Sequence, residues 1–390
     1  MSENAPAFGR GLRHHWSFAP GTIYLNHGAF GAVPRVVAVA QQAWRDRAEA
    51  QPTQFHAEVL PEALREALAR LGGFLGARPG GLAFVENATS GINAVLRSLP
   101  WRAGDAIVLT DQVYPAVRNL VHWLAQRHGL RVLEACLPMP LDDPRDAVRA
   151  CLAAAGPGTR LAIVDHVASA TGVVLPVREI AAALRARGVP VLVDAAHTAG
   201  MLDLDLDAIG AEWVVGDLHK WLFAPRGCAF LHASEAVARD LQPATISGLA
   251  GMGFPGAFSW TGTRDYSPFL SVPAALDFVE WLGVAGYRRA IRDLAWRGAG
   301  LLARRWGADL PAGPESLAAM VAVPLPDRGM AAADGEAAGR AWTARLWEHH
   351  RIAVPVGSVG GRLWARISAQ VYNDLSDFAA LADAVAGASP

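Results

Sequence analysis

The basic side chains of this chain include one chemical exception. Lysine occurs only as Lys220, and all the others among the 35 basic residues are arginines. An arginine guanidinium stays protonated in proteins, whereas the neutral amine of a lysine can attack a carbonyl carbon and form a Schiff base. The alternative is that Lys220 is a surface residue without a chemical role, which a general bias toward arginine has not replaced. Lys220 is therefore a candidate nucleophile, and its surroundings must decide between the two.

An aspartate and this lysine each follow a short apolar run. Asp194 follows the run 191–193, and Lys220 comes shortly after the run 213–215. If both runs are parallel strands, they end at the edge of the sheet where open α/β folds bind ligands. Burying the Asp194 carboxylate there is costly unless a cation pairs with it. A protonated pyridine nitrogen would be such a cation, and a salt bridge to an arginine is the alternative.

Small polar residues follow two other apolar runs. Residues 86–93 lead into a predicted helix, whose free backbone N–H groups could hold a phosphate. A plain helix cap at Thr89 or Ser90 explains the same residues. Residues 165–172 end in a glycine turn and are either a ligand-binding loop or a simple connection.

The elements that would position these residues alternate between strands and helices, which predicts an α/β fold. Their near-continuous apolarity is typical of a parallel sheet with helices on both faces. The predicted strands are 82–85, 106–109, 161–164, 191–193, 213–215 and 228–231. We expect an N-terminal segment over residues 1–20 that packs on a small domain, a large domain over 21–270, and a small α+β domain over 271–390.

The small domain is predicted from a change of pattern after Ser271. A long helical stretch over 272–306 precedes a strand-like run at 320–325 and a helix over 336–351. Two further runs, 352–356 and 363–368, are predicted to pair through a turn at residues 357–361.

Composition indicates a small-molecule partner. Hydrophobic residues make up 52% and the formal net charge is -1, so nothing favours nucleic acid or an anionic membrane as a partner. No apolar run reaches the roughly 18 residues of a membrane span, and the first four residues lack a signal-peptide pattern, so we expect a cytoplasmic protein. Cys136, Cys151 and Cys228 suggest neither a disulfide framework nor a metal site and are interpreted as buried packing residues.

The chain resembles the class V branch of the fold-type I pyridoxal-phosphate (PLP) enzymes, because it has Asp-Ala-Ala-His at 194–197 and His-Lys-Trp at 219–221. It is more narrowly similar to the isopenicillin N epimerase-like subgroup. The motifs of that similarity are Tyr-Leu-Asn-His-Gly-Ala-Phe-Gly at 24–31, Trp-Thr-Gly-Thr-Arg-Asp at 260–265, and Arg-Ile-Ser at 366–368 followed by Tyr372 and Asn373. The resemblance implies a mostly parallel, seven-stranded large-domain sheet and PLP as cofactor.

The resemblance also implies roles for individual residues. Lys220 would form the Schiff base with PLP and carry the Cα proton, and Asp194 would pair with the pyridine nitrogen. Further contacts to the cofactor are implied for His197 near the phenolic oxygen, Thr89, the Ser90 backbone and His219 at the phosphate, Tyr114 stacked on the ring, Ser169, and Thr263 from the neighbouring subunit of a homodimer with shared sites. A phosphate role for Asp217 is disfavoured, because its carboxylate would repel the phosphate.

The substrate implied by the resemblance is an amino acid. Arg366 would bind its α-carboxylate through a bidentate guanidinium, and Asn26 and His27 would form part of the pocket. A cysteine desulfurase needs a nucleophilic cysteine on a mobile loop late in the chain. That reaction is disfavoured, because the last cysteine, Cys228, lies in a predicted strand. Epimerisation at Cα is the first hypothesis. The alternatives are β-elimination with C–S cleavage and transamination, and a PLP-binding protein without turnover is less favoured.

Overall fold

The computed structural model describes residues 6–326 and 335–387. The first five residues of the predicted N-terminal segment and parts of the predicted small domain lie outside these ranges. The strands are β1 Ile23–Tyr24, β2 Leu82–Val85, β3 Ala106–Thr110, β4 Arg131–Ala135, β5 Thr159–Asp165, β6 Val191–Asp194, β7 Trp213–Asp217, β8 Ala229–Ala233, β9 Met320–Pro324, β10 Ile352–Ala353, β11 Val356–Val359 and β12 Arg362–Ser368. The helices are α1 His27–Phe30, α2 Arg35–Ala50, α3 Pro52–Gln54, α4 Leu60–Leu75, α5 Ala88–Ser98, α6 Pro115–His128, α7 Pro144–Ala154, α8 Val177–Arg185, α9 Leu206–Ile209, α10 Glu235–Ala238, α11 Ser267–Leu270, α12 Val272–Leu282, α13 Val284–Trp306, α14 Gly335–His350 and α15 Leu375–Ala386.

A large sheet forms the centre of the fold. Within the described residues it has seven strands in the order β2, β8, β7, β6, β5, β3, β4, and neighbours are parallel except where β8 pairs with β2 and β7. Val108 of β3 belongs to one buried apolar cluster, and Ile107 and Leu109 belong to another. Both faces of the sheet are therefore covered, and the predicted mostly parallel α/β fold is confirmed.

The edge strand β4 was not among the predicted strands. Its two central residues are half-buried, Arg131 and Glu134 are exposed, and only Ala135 is buried. Polar residues such as Arg131 and Glu134 are tolerated because solvent reaches this edge. The apolar signal that marks the central strands is missing here for that reason.

The smaller sheet has the order β11, β12, β9, and its strands are antiparallel. The predicted turn at 357–361 is wrong in register: β11 runs to Val359, so the turn is confined to Gly360 and Gly361. The predicted strand 352–356 is also divided, because β10 pairs in parallel with β1 instead. The predicted helix over 272–306 is two helices, which meet at Gly283.

The N-terminal segment contacts the C-terminal part of the chain. The backbone N–H of Gly9 donates to the carbonyl of Val371, and the Arg10 guanidinium donates to Asp377 over 2.5 Å. Among the described residues no single helix is long and apolar enough to cross a membrane. The bent pair Ser267–Leu282 and Val284–Trp306 passes that test by length and composition alone.

Candidate active site

A cavity of about 240 Å³ lies where β5, β6 and β7 end. It contains seven of the residues predicted to act at the site. Its lining comprises Ala29, Phe30, Asn87, Ala88, Thr89, Tyr114, Asp165, Ser169, Asp194, Ala196, His197, Asp217, His219 and Lys220. A larger groove of about 670 Å³ between α4 and β2 is lined mainly by apolar residues and includes none of the predicted site residues. The smaller cavity is therefore the candidate active site.

Lys220 follows β7 and is held by an ion pair. Its Nζ lies 2.9 Å from Oδ2 of Asp217, and the two side chains are only 14% and 6% exposed. The other oxygen of Asp217 accepts a hydrogen bond from the backbone N–H of Ala88 over 2.8 Å. Asp217 thus links the lysine to the N-terminus of α5, where the phosphate was expected.

Asp194 and His197 lie at the end of β6. Oδ1 of Asp194 accepts a hydrogen bond from the backbone N–H of Ala196 over 2.9 Å. Burial raises the pKa of Asp194 to about 6, and the Lys220 cation opposes that shift. Burial also lowers the pKa of His197 well below its ordinary value, so its imidazole is neutral at physiological pH.

Arg366 of β12 is hydrogen-bonded to Ser169, which lines the cavity. Its Nη1 donates to the backbone oxygen of Ser169 over 2.5 Å and to Oγ of Ser169 over 3.2 Å. Burial lowers the pKa of Arg366 to about 10, so the guanidinium keeps its charge at neutral pH. Its Nε is buried without a hydrogen-bond partner among the described residues. An anionic ligand is the kind of partner this arrangement lacks.

Besides Arg366, four predicted residues do not line the cavity. The backbone N–H of Ser90 donates to Oδ1 of Asn87 over 2.8 Å, so the residue that caps α5 is Asn87, and the expectation of a cap at Thr89 or Ser90 was wrong. Thr263 is exposed. Asn26 is the N-cap residue of α1. His27 is fully buried and shares a hydrogen bond of 2.8 Å between its Nδ1 and the hydroxyl of Tyr372, while burial lowers its pKa to about 3.

Asp165 and Asn87 also line the cavity. They lie within the candidate segments 165–172 and 86–93, but neither was assigned an individual role. Asp165 had a usable signal, because it ends an apolar run as Asp194 does. The interpretation of all three cysteines as buried was wrong for Cys136, which is exposed.

Two glycines allow the backbone around Lys220 to pack closely. Gly31 has a φ of 65°, and a Cβ there would overlap the carbonyl oxygen of His219 and lie 2.9 Å from that of Lys220. Gly200 has a φ of 91°, and a Cβ there would overlap the carbonyl oxygen of Trp221. The loop that carries the lysine thus packs directly against the backbone at two glycines, where any side chain would collide with it.

Replacing Gly31 with alanine is expected to weaken PLP binding by roughly tenfold or more, because forcing a methyl group against packed backbone costs about 1–3 kcal/mol. Gly188→Ala is the matched control: Gly188 has a φ of 72° with open space around it, so only backbone strain changes. The measurement is the PLP dissociation constant of each variant. Equal affinity in both variants would contradict a fixed position for the Lys220 loop.

The residues at this cavity fit PLP. A lysine amine can form a Schiff base with the aldehyde of PLP, and the buried carboxylate of Asp194 can pair with the cationic ring nitrogen. Within the described chain, Nδ1 of His197 is buried without a hydrogen-bond partner, as expected of a wall that a polar ligand completes. The fold and the site define a PLP-dependent enzyme.

Comparisons with known proteins identify the family. The aminotransferase class V model matches residues 23–375. Isopenicillin N epimerase of Streptomyces clavuligerus is 36% identical over 94% of this chain and 94% of its own length, and putative L-cysteine desulfhydrase 1 of Oryza sativa subsp. japonica is 33% identical over 96% and 84%. A solved complex of the cystine C–S lyase C-DES with cysteine persulfide has a TM-score of 0.80 at 25% identity and covers 95% of this chain and 99% of its own. The chain belongs to the class V aminotransferase family.

Proposed function

We propose that this enzyme moves the Cα proton of an amino acid and that Nζ of Lys220 carries that proton. The observation that supports this most directly is the position of Lys220, the chain's sole lysine, in the wall of the cavity and 2.9 Å from Asp217. An amine that alternates between neutral and charged forms can accept and return a proton. Asp217 is placed to stabilise Lys220 while the amine is charged.

The other side chains at the cavity bind PLP and the substrate and orient them. When bound, PLP supplies an electron-withdrawing ring that weakens the bonds at the Cα of an attached amino acid. In this proposal Asp194 pairs with the ring nitrogen and neutral His197 contacts the ring oxygen. Thr89 and His219 hold the phosphate, and Arg366 binds the substrate carboxylate.

Epimerisation at Cα is the first candidate reaction. The relative from Streptomyces clavuligerus named for this reaction aligns over 94% of the chain at 36% identity. In an epimerisation the proton removed from one face of Cα is replaced on the other face, and no other bond to carbon breaks. Isopenicillin N is therefore the first substrate to test.

C–S β-elimination is the second candidate. It is supported by the 33% identity with a putative L-cysteine desulfhydrase and by the similarity to a cystine C–S lyase. The same Lys220 would remove the Cα proton, and the sulfur group would then leave from Cβ. L-Cysteine and L-cystine are the test substrates for this reaction.

Product analysis in deuterated water separates the two candidates. An epimerase incorporates deuterium at Cα of isopenicillin N and releases no fragments, whereas a lyase converts L-cysteine to pyruvate, ammonia and sulfide. Lys220→Ala protein loaded with PLP serves as the blank for reactions of the free cofactor. Absence of both deuterium incorporation and pyruvate above this blank would contradict the proposed function.

We further propose that the enzyme is a cytoplasmic homodimer in which Thr263 contacts the cofactor of the partner subunit. The exposure of Thr263 is consistent with such a contact. Sedimentation analysis tests the dimer. A monomer at working concentration would contradict the shared site.

A further inference from the structure

Two buried carboxyl groups stand side by side at the edge of the central sheet. Asp165 and Asp194 are the last residues of β5 and β6 and are direct partners in the parallel register. Neighbouring strands lie about 4.8 Å apart. Both side chains line the candidate active site, and the residues are only 2% and 4% exposed. Two ionised carboxylates at this spacing, away from water, would repel each other strongly.

Burial raises the pKa of Asp194, but two neighbouring groups favour its ionised form. Its carboxylate accepts a hydrogen bond from the backbone N–H of Ala196 and is attracted by the Lys220 cation. The Asp217 carboxylate acts in the opposite direction and raises the pKa of Asp194. The neighbouring His197 is neutral, because burial lowers its pKa, and Arg366 faces that histidine from β12. Asp194 therefore has a hydrogen-bond donor and a cation that compensate its charge.

The surroundings of Asp165 compensate a charge less well. The backbone N–H of Tyr114 and the guanidinium of Arg118 both favour its ionised form. Arg118, however, is already bound to Oε2 of Glu134 over 2.5 Å. Oδ2 of Asp165 has no hydrogen-bond partner among the described residues. Burial, and next the charge of Asp194, raise the pKa of Asp165 well above its ordinary value.

We propose that Asp165 and Asp194 hold one proton between them, with Asp165 as the neutral partner that donates its hydroxyl to the Asp194 carboxylate. The Asp165 hydroxyl would then fix the rotation of Asp194 and direct its free oxygen toward the ring nitrogen of PLP. Asp165 is in this sense a positioning residue that acts through Asp194. The inference rests on the proposed pairing of Asp194 with that nitrogen.

Asparagine substitutions distinguish the two members of the pair. Asparagine resembles a neutral carboxylic acid in shape and can donate a hydrogen bond, so Asp165→Asn should keep the PLP dissociation constant within about threefold of wild type. Asp194→Asn removes the negative charge and should weaken PLP binding roughly a hundredfold, as expected for a lost charged pair. Asp165→Ala has no donor and should weaken binding roughly tenfold. The reverse order for the two asparagine variants would overturn the assignment.

The cofactor-free protein provides a second readout. Between the ordinary carboxyl pKa of about 4 and the raised pKa of Asp165, the folded protein binds more protons than the unfolded chain. The contribution of Asp165 to stability is therefore fully present at low pH and is lost as pH rises through this window. Asp165→Asn lacks this dependence, so its Tm relative to wild type should increase from pH 4 to neutral pH.

These results separate failure of the inference from failure of the proposed function. A constant Tm difference between wild type and Asp165→Asn across this pH range would overturn the shared proton, even if PLP binds and turnover is normal. Wild-type protein that binds no PLP would overturn the proposed function. The pH-dependent stability of the cofactor-free pair would still decide the shared proton in that case.

Discussion

Replacing Lys220 with alanine is expected to abolish covalent attachment of PLP and to reduce turnover by roughly 10²–10⁴-fold or more, the usual cost of losing a positioned proton-transfer group. Alanine has no amine to bond the cofactor aldehyde and none to move the Cα proton. The measurements are the visible absorbance of lysine-bound PLP and steady-state turnover. The alanine also removes the 2.9 Å ion pair with Asp217, so a control for charge is needed.

Lys220→Arg supplies that control. It keeps a cation for Asp217 but cannot form the covalent bond, because the guanidinium stays protonated. Borohydride reduction of the PLP-loaded wild type should label one side-chain amine, since the sequence contains a single lysine. The label should be absent from the side chains of both variants. Retention of the lysine-type absorbance band by either variant would show that Lys220 does not carry the cofactor.

The fold was predictable where the chain is buried on both sides. Strands β2, β3, β6, β7 and β8 are buried along their whole length, and their continuous apolar runs are a local signal. Strand β4 has no such continuous signal, because Arg131 and Glu134 are exposed at the sheet edge and interrupt its apolar residues. The register of β11 was not predictable either, because glycine and serine within a strand resemble a turn in sequence.

Much of the site was predictable by the same argument. Asp194 and Lys220 follow buried parallel strands, so their approach is a consequence of sheet topology. The pairing of Asp165 with Asp194 depends on the strand register, which sequence spacing does not give. His27 lies outside the cavity because its ring bonds to Tyr372, a residue 345 positions away. Contacts of this kind are set by tertiary packing.

Asp217 shows how the structure refined a sequence argument. From sequence, its carboxylate was expected to repel a phosphate. In the structure the same carboxylate binds both Lys220 and the backbone N–H of Ala88, the first residue of α5. A phosphate at this helix end would therefore compete with Asp217 for backbone N–H groups. Attachment of PLP would use Nζ of Lys220, the atom that pairs with Asp217, so cofactor binding and the Asp217 ion pair are linked.

Replacing Arg366 with glutamine is expected to raise the KM for the amino acid substrate roughly 10- to 100-fold, because a hydrogen bond to a charged group contributes about 1.5–3 kcal/mol. Arg366 is half-buried, with a buried Nε that has no partner in the described chain, and its guanidinium is the group proposed to bind the α-carboxylate. PLP affinity should change less than KM, since Arg366 is not among the residues that line the cavity and touches that lining only through Ser169. Steady-state kinetics and a PLP titration measure both quantities.

Arg362→Gln is the matched control for this prediction. Arg362 lies on the same strand, β12, but is exposed and bonds only loosely to the carbonyl of Leu325 over 3.4 Å. Its substitution should leave KM unchanged, whereas Arg366→Lys should restore only part of the affinity, because a lysine lacks the planar fork that binds a carboxylate through two bonds. If Arg366→Gln changes PLP affinity and KM together by the same factor, Arg366 supports the cofactor site through Ser169, and the substrate carboxylate binds elsewhere.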